Sequence, residues 1–281
     1  MTDHGMHVSS TPYCYRHPDR ATRLACSECG RPICVDCSQD SAVGQKCPEC
    51  AKPTGRSRVI QARNIRQVDR STTPVTWALI AINAAIFLIS ELDGPTGQEI
   101  FVNAAQYKPL IDDGEFWRVF TAMFLHANIT HVLFNMWALY LFGPSLERRF
   151  GSASFASLYV AAGLGGGSLY HVVGRIVPAV GASGAIFGLM GAILAATYRQ
   201  RHTPAGRAVF SQLMLLLLIN LSLPLVVPNI AWEAHVGGLV AGISIAAAWD
   251  KLPFGTPGAA GRRMLIALVV GIVAFGALLF L

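Results

Sequence analysis

The chain has 281 residues, with 22 Lys+Arg against 16 Asp+Glu and a net charge of +6. It is 53% hydrophobic and only 14% charged, where soluble domains run near 25%. With a mean hydropathy of +0.45, this composition excludes a cytosolic enzyme built on one water-soluble core. The charge is also uneven. Residues 51–74 carry 6 basic and 1 acidic residue, and residues 75–281 carry only 11 and 9. A small polar domain precedes a membrane-embedded one.

All seven cysteines lie between Cys14 and Cys50. An odd number cannot all pair within the chain. No apolar run precedes Cys14, so nothing directs this region to an oxidising compartment. Metal ligation is the better expectation. Four pairs, Cys14/His17, Cys26/Cys29, Cys34/Cys37 and Cys47/Cys50, each leave a two-residue gap that lets both side chains reach one metal. Eight ligands make two tetrahedral zinc sites. Closed four-ligand sites leave no position for a reacting water, so both zincs are expected to be structural. So short a stretch buries little core, and metal binding would supply most of its folding energy. The spacing over residues 12–50 resembles the B-box type of zinc-binding domain. The resemblance implies that Cys14, His17, Cys34 and Cys37 share one zinc, and Cys26, Cys29, Cys47 and Cys50 the other. The near-neutral charge of this domain argues against nucleic acid as its partner, leaving a cytoplasmic protein partner. Residues 1–11 read as a flexible N-terminus. Residues 51–74 read as a linker, whose Lys52, Arg56, Arg58, Arg63, Arg66 and Arg70 suit a juxtamembrane anchor on anionic lipid.

Seven apolar segments follow, at about 75–92, 129–145, 153–173, 181–198, 208–226, 231–249 and 263–281. The connections after the second, fourth and sixth hold Arg148, Arg149, Arg199, Arg201, Arg207, Lys251, Arg262 and Arg263. The opposite side holds only Lys108, Arg118 and Arg175. The excess of basic residues predicts a multi-pass cell-membrane protein with a cytoplasmic N-terminus and an external C-terminus.

The second, fourth and sixth segments run in the same direction, and each has a polar residue near its outer, N-terminal end. The second has His131 and Asn135, four apart and so on one face. The fourth has Ser183 within Gly181-Ala182-Ser183-Gly184, and the sixth has His235. At 1.5 Å per residue these groups lie roughly 5–10 Å below the outer ends. A lone membrane Ser commonly bonds its own helix backbone, and a lone His can be a satisfied interior group. Together they are the minimum for an activated hydroxyl, because imidazole can remove the hydroxyl proton. Gly184 and Gly188 on one helix, with Gly238 and Gly242 on the face of His235, allow the close approach this needs. His131 and Asn135 can donate to an oxyanion. Glu233 is two residues from His235 and points roughly 200° away, toward the outer water interface.

At these residues the chain from about 75 to 281 resembles the rhomboid intramembrane serine proteases. The residues that carry the likeness are GASG around Ser183 with Gly188, and His235-Val-Gly-Gly238-x3-Gly242. Trp117-Arg118, His131-x3-Asn135 and Glu147-Arg148-Arg149 extend it. The resemblance implies an all-α polytopic fold with a six-helix core, here joined by a seventh C-terminal helix and preceded by the small zinc-stabilised domain. It implies a Ser–His dyad, with Ser183 as nucleophile and His235 as general base and acid. His131, Asn135 and the Ser183 backbone N–H would form the oxyanion hole. No metal would serve catalysis, and the substrates would be single-span membrane proteins cut near the outer boundary. Trp117 and Arg118 would brace the first outer loop. The alternative is a catalytically silent rhomboid-like binder or adaptor. Transport is disfavoured, because no carboxylate lies in the interior of a span.

Overall fold

The computed structural model describes residues 11–41, 44–51, 72–92, 94–173, 176–227, 230–252 and 256–279. Residues 52–71 of the expected linker and Arg175 lie outside these residues, as do residues 1–10 of the expected flexible N-terminus. The chain divides into two compact units, Met1–Arg66 and Gln67–Leu281.

In the first unit, short strands β1 (Gln39–Asp40) and β2 (Gln45–Lys46) pair antiparallel with Gln39 opposite Lys46. Isolated bridges join Tyr13 to Ala21 and Ala25 to Pro32. Its buried core consists of Ile33 and five cysteines, Cys14, Cys26, Cys34, Cys37 and Cys47. Too few apolar side chains are enclosed to stabilise this unit by burial alone.

The second unit is all-α. In chain order it contains α1 (Pro74–Leu92), α2 (Gly94–Ala104), α3 (Lys108–Asp112), α4 (Arg118–Thr121), α5 (Ile129–Phe150), α6 (Ser152–Val173), α7 (Ser183–Tyr198), α8 (Pro204–Ser222), α9 (Trp232–Trp249) and α10 (Ala259–Gly276). The seven long helices fall on the seven apolar segments. Among the described residues, only α1, α8 and α10, two of them continued by a short 3-10 turn, are both long and apolar enough by themselves to cross a membrane. Helices α6, α7 and α9 pack on one another, so glycine and polar residues can replace lipid-facing apolar ones. Helix α10 packs along α6, with Gly271 against Ala161.

The last turns of α5 fasten the start of α1. Glu147 is 1% exposed. Its carboxylate accepts from Val75 N (2.9 Å), Thr76 N (2.8 Å), Thr76 Oγ1 (2.7 Å) and Ser152 Oγ (2.7 Å). It thus satisfies donors that the first turn of α1 leaves without intrahelical partners, and it places negative charge at the helix N-terminus.

The short helices α2, α3 and α4 build the loop between α1 and α5, expected on the outer side, which the hydropathy pattern does not reveal. Arg118 is its internal tie. It is 3% exposed, ion-paired with Glu115, and it donates to Val102 O (2.7 Å) and Ala105 O (3.0 Å). Trp117 is exposed, so the bracing expected of the pair falls to Arg118.

Candidate active site

Helices α7 and α9 meet through glycines. A Cβ added at Gly238 would lie 1.9 Å from Gly184 O, and one at Gly242 would lie 2.0 Å from Gly188 O. No side chain fits between these backbones. The contact brings Ser183 Oγ to 3.0 Å from His235 Nε2, hydrogen-bonding distance for a hydroxyl donating to an imidazole nitrogen. Accepting at Nε2 places the ring proton on Nδ1. Nδ1 is buried and has no hydrogen-bond partner among the described residues, so the pair stands without a third carboxylate there.

The ring of Phe187 lies flat on His235, with centroids 4.2 Å apart and planes 5° apart. Phe187 is four residues after Ser183, on the same face of α7. The helix that carries the hydroxyl therefore also orients the imidazole. Phe187 was not legible in the sequence, because an apolar residue in a membrane helix gives no signal of its own.

Ser183 is the first residue of α7, where the expected span 181–198 made it the third. The first backbone bond of this helix runs from Ile186 N to Ala182 O at 3.0 Å. The earlier N–H groups of the turn, Ser183 N included, have no intrahelical acceptor. Such groups can donate to an anion at the helix N-terminus.

Helix α5 supplies the third side. Asn128 caps it, its side chain accepting from His131 N at 2.9 Å. His131 and Asn135 share the face toward Gly181. A Cβ at Gly181 would lie 2.7 Å from both His131 Cε1 and Nε2, and 3.8 Å from Asn135 Nδ2. Gly181 also has φ +126°, a conformation other residues rarely adopt. It is thus required twice, and its quotation within GASG did not single it out. Asn135 is buried and donates to His131 O at 3.1 Å. His126, unassigned from the sequence, is buried and meets His131 edge-on at 5.0 Å.

Glu233 corrects an expectation. It is 2% exposed, not at an outer water interface. Rotation around α9 by about 200° from His235 points it into protein rather than water.

A cavity of about 30 Å³ adjoins Ser183, lined among others by Gln106, Val119, Gly181 and Ala234. It has room for one or two water molecules.

In the first unit, the sulfur and imidazole atoms of Cys14, His17, Cys34 and Cys37 lie within 4.8 Å of one another, and so do those of Cys26, Cys29, Cys47 and Cys50. Each cluster could hold one metal ion. Soft thiolate and imidazole donors in fours suit zinc. The backbone N–H groups of Cys29 and Cys47 pull the Cys26 thiol from 9.0 down to about 6, and the Arg31 guanidinium, 3.3 Å from Cys29 Sγ, lowers the Cys29 thiol. Local donors thus favour the thiolate at Cys26 and Cys29, whereas burial raises the Cys37 thiol and the neighbouring Cys47 raises that of Cys50.

The Rhomboid domain family matches residues 113–250. Rhomboid protease GluP of Bacillus subtilis (strain 168) is 34% identical over 253 residues, covering 86% of this chain and 49% of GluP. The rhomboid-family YdcA of the same organism is 33% identical over 170 residues, covering 60% of this chain and 85% of YdcA. Rhomboid-like protease 1 of Toxoplasma gondii is 33% identical over 197 residues, covering 67% of this chain and 65% of that protein. The chain spans about half the length of GluP.

Proposed function

Since the chain belongs to the rhomboid family, we propose that it is an intramembrane serine endopeptidase acting through Ser183 and His235. The observation that carries this reading is the 3.0 Å approach of Ser183 Oγ to His235 Nε2. His235 Nε2 takes the hydroxyl proton as Ser183 Oγ attacks the scissile carbonyl. The carbonyl oxygen becomes an oxyanion, met by the Ser183 N–H, His131 and Asn135. Collapse breaks the C–N bond, and His235 returns its proton to the leaving amine. Water then hydrolyses the acyl-Ser183 ester with His235 again as base. The cavity beside Ser183 is the reservoir for that water. Phe187 keeps the imidazole in plane throughout.

The substrates are single-span membrane proteins cut near the outer boundary. Basic residues gathered at the end of the bundle opposite Ser183 support a cytoplasmic N-terminus and an external C-terminus. The first unit is a B-box-type domain holding two structural zinc ions through its two four-residue clusters. It serves recruitment or regulation through a cytoplasmic protein partner. Zinc there cross-links the fold and takes no part in peptide cleavage.

The test is turnover of a transmembrane reporter in liposomes. Ser183→Ala and His235→Ala should each lower it on the order of 10⁶-fold, with expression and helicity unchanged. Near-normal turnover by Ser183→Ala would sink the protease reading and leave a silent membrane-protein binder.

A further inference from the structure

The seventh helix ends against the outer loop. The last turn of α10 continues as a 3-10 turn, Ala277–Leu279. Leu278 is 7% exposed and packs with Ile111 and Val119, both essentially enclosed. The rings of Phe275 and Phe116 meet edge-on at 6.1 Å. Ile111, Phe116 and Val119 all belong to the outer loop. The rest of α10 faces elsewhere: Leu265, Leu268, Ile272 and Val273 are exposed along its other side.

The same outer loop holds the segment that leads into Ser183. Gln106 N donates to Ala179 O at 3.0 Å, Ala179 N returns a bond to Gln106 O at 2.8 Å, and Gly181 N donates to Ala122 O at 2.9 Å. Gln106 Nε2 also donates to Gly167 O on α6 at 2.6 Å. Val119 lines the cavity beside Ser183. It sits so close to α6 that a Cβ at Gly167 would lie 2.7 Å from its Cγ1. Contact therefore runs without a break from Leu278 and Phe275, through Val119 and the outer loop, to the backbone just before the nucleophile.

We infer that Phe275 and Leu278 are positioning residues for the Ser183 site, and that the last turn of α10 is the brace that holds the outer loop over it. They touch no reacting atom. Their action is to fix the outer loop, and through its backbone pairing the register of residues 179–181. This rests on the proposed protease reading only for its catalytic consequence. The brace itself is a property of the packing.

The experiment uses the full chain in liposomes, with Phe275→Ala, Leu278→Ala, the conservative Leu278→Met, and Val273→Ala as a control on the exposed face. Hydrogen exchange reads the brace without reference to activity. In both alanine variants, peptides covering 105–124 and 176–182 should exchange about tenfold faster, while α7 and α9 stay protected. Labelling of Ser183 by a fluorophosphonate should slow by about tenfold to 10²-fold, and reporter turnover should lose kcat with KM little changed. Leu278→Met, which conserves volume, should restore both readouts, and Val273→Ala should match the parent chain. Unchanged exchange in both alanine variants overturns the inference. So does faster exchange spread evenly over all helices, or faster loop exchange with parental labelling. If the parent chain neither labels nor cuts, the protease reading fails, and exchange alone still decides the brace.

Discussion

Adding one methyl group at Gly238 should separate the catalytic pair. The new Cβ would stand 1.9 Å from Gly184 O, and ordinary van der Waals contact begins near 3.4 Å. The obstacle is a backbone carbonyl, which has no rotamer to change, so α7 and α9 must part locally by about 1.5 Å. Gly238 lies one turn after His235, and Gly184 is next to Ser183, so the shift acts where the two side chains meet. A separation of 3.0 Å would open beyond hydrogen-bonding range. We expect Gly238→Ala to lower fluorophosphonate labelling of Ser183 by about 10²-fold or more and to cost about 1–3 kcal/mol of stability through overpacking. Gly242→Ala meets an equal clash, 2.0 Å from Gly188 O, but one turn deeper, and should slow labelling less for a similar loss of stability. The assay compares labelling rate with thermal aggregation for both variants in one detergent. Parental labelling by Gly238→Ala would refute the claim that glycine contact sets the Ser–His distance.

Loss of one oxyanion donor should hurt less than loss of the nucleophile. Asn135→Ala or His131→Ala should lower reporter turnover by roughly 10²–10³, and unchanged turnover in the double variant would make both packing residues. Glu147→Ala strands the donors at the start of α1 and should destabilise the membrane unit by at least about 2 kcal/mol; equal unfolding midpoints for variant and parent would contradict that role. Elemental analysis should find two zinc ions per chain. A mild chelator, or Cys26→Ser with Cys29→Ser, should unfold the first unit while Ser183 still labels. One zinc or none would contradict the eight-ligand count, and lost labelling would contradict independence of the two units.

The long helices were legible because a membrane demands long apolar runs, and that pattern survives local detail. Helices α2, α3 and α4 were not, because each is short and none repeats an apolar face long enough to be read. The candidate site was legible where chemistry needs rare residues, a Ser and two His among apolar neighbours. Phe187 and Gly181 escaped for opposite reasons. Phenylalanine is common in such helices, and its stacking on His235 depends on a tertiary contact. Glycine is also common here, and the demand on Gly181 comes from its φ and from His131 arriving on another helix. Glu233 was misjudged because an angle around a helix says where a side chain points, not whether water or protein waits there. The four ligand pairs were legible in their two-residue gaps, but which pairs share a cluster came only from the B-box resemblance, because the gaps do not say which pairs converge.

The shortness of α7 bears on how a substrate could be reached. Its 16 residues span about 24 Å, against a hydrocarbon layer of roughly 30 Å. With its C-terminal end, beside Arg199 and Arg201, placed at one headgroup layer, the helix would stop about 6 Å short of the other, and Ser183 is its first residue. A peptide bond brought there stands at a depth where lipid offers no hydrogen-bond partners. An intact transmembrane helix would arrive with its carbonyls already bonded along its own axis, closed to attack. Under the proposed protease reading, cleavage would require the substrate to unwind near its end, at a cost of several kcal/mol for each backbone group left unsatisfied. Segments weakened by Gly or Pro would meet that requirement most easily, so the depth of Ser183 would select substrates by the fragility of their helices before any side chain is read.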